Sequence, residues 1–231
     1  MKILIIIPAY NEELNIEKVV NNLIENYPQY DYVVVNDGSK DNTEMICKKN
    51  NFSFITLPLN LGIGGCVQTG YIYAVVNNYD IAIQLDGDGQ HDPSYIEKLI
   101  DPIVNKKAEM VIGSRFINKE GFQTTLIRRI GIRIIKSVIN FCCGLKVADT
   151  TSGFRATSKE LNKFFSENYA HDYPEPEAIV SAVLNGYKVV EIPVIMNERN
   201  GGESSISGLK SAYYMIKVSL ALLIYHLGIN K

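Results

Sequence analysis

The sequence predicts an α/β fold with a mostly parallel sheet flanked by helices, and three features carry that prediction. Short apolar runs alternate with longer stretches of helical spacing, the pattern of repeated βαβ units. The first run, Lys2–Ile7 (KILIII), is continuously apolar, as a strand buried on both faces must be. Polar, glycine-bearing loops (PAYNEE, NDGSKD, DGDGQH) follow the first, second and fourth runs, where an open parallel sheet gathers its ligands.

Taken in order, strand one ends at Pro8, and Asn11 is placed to cap a helix carrying Leu14, Val19, Val20, Leu23 and Ile24 on one face. Tyr32–Val35 reads as strand two and Asp41–Asn50 as a helix. Phe52–Leu57 is strand three, and Gly62–Asn77 a helix with a glycine-rich entrance. Ile81–Leu85 is strand four, Pro93–Asn105 a helix with proline at its start, and Glu109–Ile112 strand five. Beyond residue 113 the pattern loosens. Thr125–Cys143 is a helix with four basic residues, followed by a loop (GLKVADTTSGFR) and helices near Lys159–Asn168 and Glu175–Asn185. Tyr187–Ile195 is a late strand, Asn197–Ser207 a polar loop, and Leu209–Leu227 an apolar helix. The expected organisation is one domain over 1–207, with a nucleotide-binding half of about 1–113 and an acceptor half of about 114–207. Residues 208–231 then form a C-terminal amphipathic helix for a membrane surface or an interface.

Composition excludes several classes. Of 231 residues 46% are apolar and 21% charged, enough to build a core and unlike a disordered chain. Lys and Arg total 23 against 25 Asp and Glu, so no basic excess exists to coat a nucleic acid. Cys47, Cys66, Cys142 and Cys143 lack zinc-site or disulfide spacing, and the chain opens without a signal-peptide pattern. Reduced thiols in the cytoplasm are expected. No apolar run reaches the ~18 residues of a membrane span.

The chemistry concentrates in the loops. Three acidic loops on one sheet edge repel one another unless a cation or a ligand's donor groups sit among them. Asp86, Asp88 and Gln90 alternate along the chain, so an extended segment aims three oxygen donors at one point. Magnesium and manganese prefer such hard donors and keep positions for phosphate oxygens. An EF-hand calcium loop fits less well: Glu97 stands at its twelfth place, but His91 replaces the glycine of the sixth. Asp37-Gly38 and Asp86-Gly87 also suit simple turns. Gly62, Gly64 and Gly65 lack the following Lys-Ser or Lys-Thr of a phosphate loop, which argues against a Walker-type NTPase. The absence of a glycine turn after strand one argues against a dinucleotide-dependent dehydrogenase.

Together, IIIPAYNEE, VVNDGSKDNT, NLGIGG, QLDGDGQHDP, IGSRF and DTTSGFR resemble, in that order, the family 2 glycosyltransferases of the GT-A fold. The likeness is greatest to the dolichyl-phosphate mannose synthase-like branch, which moves sugar from a nucleotide to a polyprenyl phosphate, and runs from about residue 2 to about 207. The resemblance implies that Pro8, Ala9, Tyr10 and Glu12 cradle base and ribose and that Asp37 bonds the base. Asp86 faces the ribose or metal, and Asp88 and Gln90 hold Mg2+ or Mn2+ against the diphosphate. Arg199 grips that diphosphate; as a residue of a polar loop it also suits plain solvation. Asp88, Asp149 and Arg199 are the implied catalytic residues, Asp149 lying near the sugar. Arg115 and Arg128 meet the acceptor phosphate, with Arg129 able to take the place of Arg128; Ile132 stands where the family usually has serine.

The resulting expectation is an inverting, metal-dependent transfer from a UDP- or GDP-linked sugar to a polyprenyl phosphate, making a lipid-linked donor for envelope glycan or glycosylation. A phosphate acceptor is already ionised and needs no general base. The expected place is peripheral, at the cytoplasmic face of a membrane, with a small membrane protein or a second copy as partner. The alternatives are transfer to a soluble or lipid-linked glycan, and a catalytically silent nucleotide-sugar-binding module.

Overall fold

The computed structural model describes residues 1–118, 120, 126–172, 174–197 and 209–229, with side chains at all of these except 126–129, 209–214 and 229. Among the described residues one sheet is built from β1 (Ile3–Ala9), β2 (Asp31–Asn36), β3 (Phe54–Thr56), β4 (Ile81–Gln84), β5 (Met110–Ser114), β6 (Arg155–Ser158) and β7 (Val189–Pro193). Its order is β3-β2-β1-β4-β6-β5-β7. Every neighbouring pair is parallel except the two involving β6, which runs against β4 and β5.

Leu4, Ile5, Ile6 and Ile7 are wholly buried, as the apolar run requires, and successive residues feed opposite cores. Ile5 and Ile7 meet α1 (Ile16–Asn26), α2 (Thr43–Lys49) and α4 (Ile96–Val104). Leu4 and Ile6 face the other core, with α3 (Gly62–Val76), α5 (Leu126–Cys143), α6 (Lys159–Glu167), α7 (Pro174–Leu184) and α8 (Leu209–Ile229). The sheet is thus a middle layer, covered on both sides.

Two expectations need correction. The first helix does not start from a cap at Asn11. Asn11 is left-handed (φ 56°), and α1 begins only at Ile16. The intervening NEE segment is tied instead to the loop after β2: the Glu12 amide donates to Thr43 Oγ1, and the Glu13 carboxylate accepts from the Asn42 amide. Next, β6 falls where no strand is expected, between the loop ending at Arg155 and the helix near Lys159. Its four residues, RATS, carry too little apolar alternation to mark a strand, yet all are buried. Because β6 comes from the second half of the chain and inserts between β4 and β5, the two halves share one sheet. The expected C-terminal helix is present as α8 (Leu209–Ile229), and it also packs on the core. Val218 and Leu222 are fully buried in the core, and Tyr225 bonds Ser181 of α7 through their hydroxyls at 2.7 Å. The opposite face is apolar as well, with Ile216, Leu220, Ile224 and Leu227 exposed. Ile130, Ile134 and Phe141 are exposed on the adjoining α5. No helix among the described residues is long and apolar enough to cross a membrane.

Candidate active site

The carboxyl ends of β1, β2 and β4 lie side by side, and β6 brings a fourth segment to them. Because β6 runs backwards, the residues before it (149–154) reach the same edge as the residues after β4 and β5. This reversal assembles the site.

At the β1 end, Pro8 and Ala9 are buried and Tyr10 is exposed. The Ala9 carbonyl accepts the Asp37 amide at 2.9 Å, and the Pro8 carbonyl accepts the Gly87 amide at 3.3 Å. The three acidic loops are therefore stitched together by backbone. Glu12 is buried, its carboxylate accepting from Asn15 Nδ2 at 2.8 Å. Asp37 is 3% exposed and accepts the Leu61 amide at 2.7 Å, at the entrance of α3. Burial pushes the Asp37 carboxyl above its ordinary pKa, and the amides of Leu61 and Gly62 only partly oppose this.

The loop after β4 does not stay extended, so alternation along a strand is not what organises Asp86, Asp88 and Gln90. It turns at Gly89, whose φ of 78° suits a residue without Cβ, and Asp88 Oδ1 accepts the Gln90 amide at 3.0 Å. Gln90 leans toward the chain beyond β7: its carbonyl accepts the Asn197 amide at 2.9 Å, and its Nε2 lies 3.4 Å from the Asn197 carbonyl. An antiparallel bridge joins His91 to Met196. The segment leading to Arg199 is thus pinned to the acidic loop, while Arg199 itself lies outside the described residues, as does the side chain of Arg128. His91 is a support: its Nδ1 accepts the Asp86 amide at 3.0 Å, and its ring stacks on Phe154 at 4.8 Å.

Opposite this loop, Arg115 and Asp149 form a forked ion pair. Arg115 Nε lies 2.7 Å from Oδ2 of Asp149, and Nη2 2.8 Å from Oδ1. Asp149 is wholly buried, and burial alone would raise its pKa. The hydrogen bonds and charge of Arg115 prevail and hold it below the usual carboxylate value. Glu191 of β7 braces the turn from behind, accepting the amides of Ala148 at 2.5 Å and Asp149 at 2.7 Å. Glu191 escapes sequence reading because only the β5–β7 pairing brings it here. Arg155 escapes it too. Its side chain is fully buried, with Nε donating to the Ser152 carbonyl and Nη1 to the Glu175 carbonyl.

Among the described residues no cluster of three or more His, Cys, Asp or Glu forms a ready cage for a metal. The carboxylates of Asp86 and Asp88 are nevertheless the hard oxygen donors that Mg2+ or Mn2+ accepts when substrate phosphates complete its shell, so the donor set fits such an ion.

Fold and site together define an α/β architecture with its polar loops gathered at one sheet edge, and comparison with known proteins gives the family: the model of glycosyl transferase family 2 matches residues 4–165, and the chain belongs to that family. It is a glycosyltransferase. It is 36% identical over 83% of its length, and 84% of the relative's, to UDP-N-acetylglucosamine--dolichyl-phosphate N-acetylglucosaminyltransferase of Methanococcus voltae. It is 28% identical to the polyprenol monophosphomannose synthase of Mycolicibacterium smegmatis, over 94% of this chain and 85% of that one. Glucosyl-3-phosphoglycerate synthase from Mycobacterium tuberculosis, solved with Mn2+, UDP and its product, superposes with a TM-score of 0.71 at 21% identity. That match covers 98% of this chain and 80% of the other, and it establishes the GT-A fold.

Proposed function

We propose that this glycosyltransferase moves a sugar from a UDP- or GDP-linked donor to a polyprenyl phosphate, with a divalent metal and with inversion at the anomeric carbon. The observation that carries the reading is the pairing, on one sheet edge, of a D-x-D loop with a guanidinium clamped by a buried carboxylate. One side suits a metal-bound diphosphate and the other an acceptor phosphate. The phosphate-lipid acceptors in the names of the relatives support it.

In this reading Pro8, Ala9, Tyr10, Glu12 and Asp37 take the nucleoside, and Asp86, Asp88 and Gln90 face the diphosphate. When bound there, Mg2+ or Mn2+ offsets the charge of the departing nucleoside diphosphate. Arg115, held rigid by Asp149, presents donors to the acceptor phosphate, with Arg128 or Arg129 as its second contact and Arg199 on the donor side. Asp149 is saturated by Arg115 and by backbone amides, so its part is to fix Arg115 rather than to take a proton. The acceptor oxygen, already ionised, attacks in line without a base.

The exposed apolar residues of α5 and α8 suit a lipid surface and support a peripheral position, in this reading at the cytoplasmic face of the membrane that carries the proposed acceptor. The test is a donor screen with radiolabelled UDP- and GDP-sugars, polyprenyl phosphate and Mg2+ or Mn2+. Label entering the organic phase, abolished by chelator and restored by metal, is expected. Label confined to water-soluble glycan would favour the soluble acceptor, and no transfer with retained nucleotide binding would favour a silent module.

A further inference from the structure

Asp86 is more tightly determined than its loop position requires. Beside His91, whose Nε2 lies 3.6 Å from Oδ2, two further groups outside the D-x-D motif bear on its carboxylate. The first is Gln84, two residues earlier on β4, whose side chain is fully buried and whose Nε2 donates to Asp86 Oδ1 at 3.1 Å. The second is Gly153, in the segment that leads into β6. A Cβ built there would lie 2.7 Å from Gln84 Nε2 and 2.9 and 3.0 Å from the two carboxylate oxygens of Asp86. A side chain here would have to push these groups aside, so the backbone at Gly153 packs directly against Asp86.

The orientation of the Gln84 amide follows from charge. A carboxylate only accepts hydrogen bonds, so the nitrogen end must face Asp86. Among the described residues the oxygen end, Oε1, is buried with no hydrogen-bond partner, and so is Nη2 of Arg155. Arg155 is the residue directly opposed to Gln84 in the antiparallel β4–β6 pair, on the same face of the sheet. One end of the carboxamide thus faces an acceptor-only anion, and a side chain of equal length without the amide would lose that hydrogen bond.

We infer that Gln84, backed by Gly153, is a positioning residue that fixes the Asp86 carboxylate in one orientation for the metal and the donor. The inference rests on the metal reading of Asp86 given above. Partners of this kind around a ligating group change metal affinity about 10- to 100-fold when removed.

The experiment is a titration of Mn2+ followed by electron paramagnetic resonance, in the presence of UDP and, separately, GDP. The proteins are the wild type, Gln84→Met, Gly153→Ala and, as a reference for losing a ligand, Asp88→Ala. Thermal unfolding of each is recorded alongside. Gln84→Met and Gly153→Ala are expected to bind Mn2+ about 10-fold more weakly while remaining folded. A purely structural role would lower the melting temperature and leave the Mn2+ affinity of the folded protein alone; wild-type affinity in both variants would overturn the inference. The two variants reach Asp86 from different segments of the chain, so either one decides the matter if the other does not fold. A wild type that binds no Mn2+ with either nucleotide would instead overturn the metal reading itself, and the inference with it.

Discussion

In the proposed site single residues divide into those that would face the substrates and those that hold them in place, and the two groups respond differently to substitution. Asp88 sits on a surface turn, so Asp88→Ala should leave the melting temperature nearly unchanged. Losing the proposed metal ligand should lower transfer at least about 100-fold, measured as lipid-phase label per minute. Asp149 behaves in the opposite way. Removing it strands Arg115 without its buried counter-ion, and breaking such a pair costs about 3–5 kcal/mol, readable by urea unfolding. Its pKa is depressed in the folded state, so its contribution to stability is fully present above the unfolded carboxylate value of about 4. That contribution is lost as pH falls through the lower folded value. Acid unfolding of the wild type should therefore steepen in that window, and Asp149→Asn should flatten it.

Legibility from sequence was uneven among these residues. Asp86 and Asp88 announce themselves because two carboxylates two apart at a strand end have few structural uses. Gln84 does not: within IAIQLDGDGQ it looks like one more strand residue, and only the fold brings Gly153 to its side. The alternation argument for Asp86, Asp88 and Gln90 fails because Gly89 turns the chain, a conformational freedom that spacing alone does not reveal.

Elements show the same contrast. β1 is legible because a strand covered on both faces has to be apolar throughout. β6 is hidden because a four-residue strand flanked by partners on both sides is fixed by its ladder, and Arg155 and Thr157 owe their burial to polar partners rather than to hydrophobicity. α8 was read as apolar, which it is, but spacing does not say that one apolar face meets α5 and α7 while the other stays exposed. The two faces can be separated by mutation. Leu222→Ala, in the core, should cost about 2–5 kcal/mol by chemical denaturation. Leu220→Asp with Ile224→Asp, on the exposed face, should leave stability close to wild type and abolish co-flotation with anionic lipid vesicles. Unchanged flotation of the double variant would remove the lipid-surface role of this face.

At the scale of the whole molecule, the expected boundary near residue 113 marks a change of sequence pattern and not a change of body. β4 of the first half pairs with β6 of the second, and β5 pairs with both β6 and β7. The reversed strand has a consequence for how the chain matures. Ile81 must find Ser158, and Met110 must find Thr157 and Val189, so the centre of the sheet closes only through contacts distant along the chain. Closing such loops is slow. During synthesis β4 has emerged long before its neighbour exists, and until then it presents an unpaired edge whose residues, Ile81 to Gln84, are destined for complete burial. Chains stopped after residue 150 should accordingly collect on chaperones or aggregate, whereas chains extended through β7 should fold. Ribosome-bound nascent chains of graded length, probed by limited proteolysis, would show protection of the amino-terminal strands arriving late and abruptly.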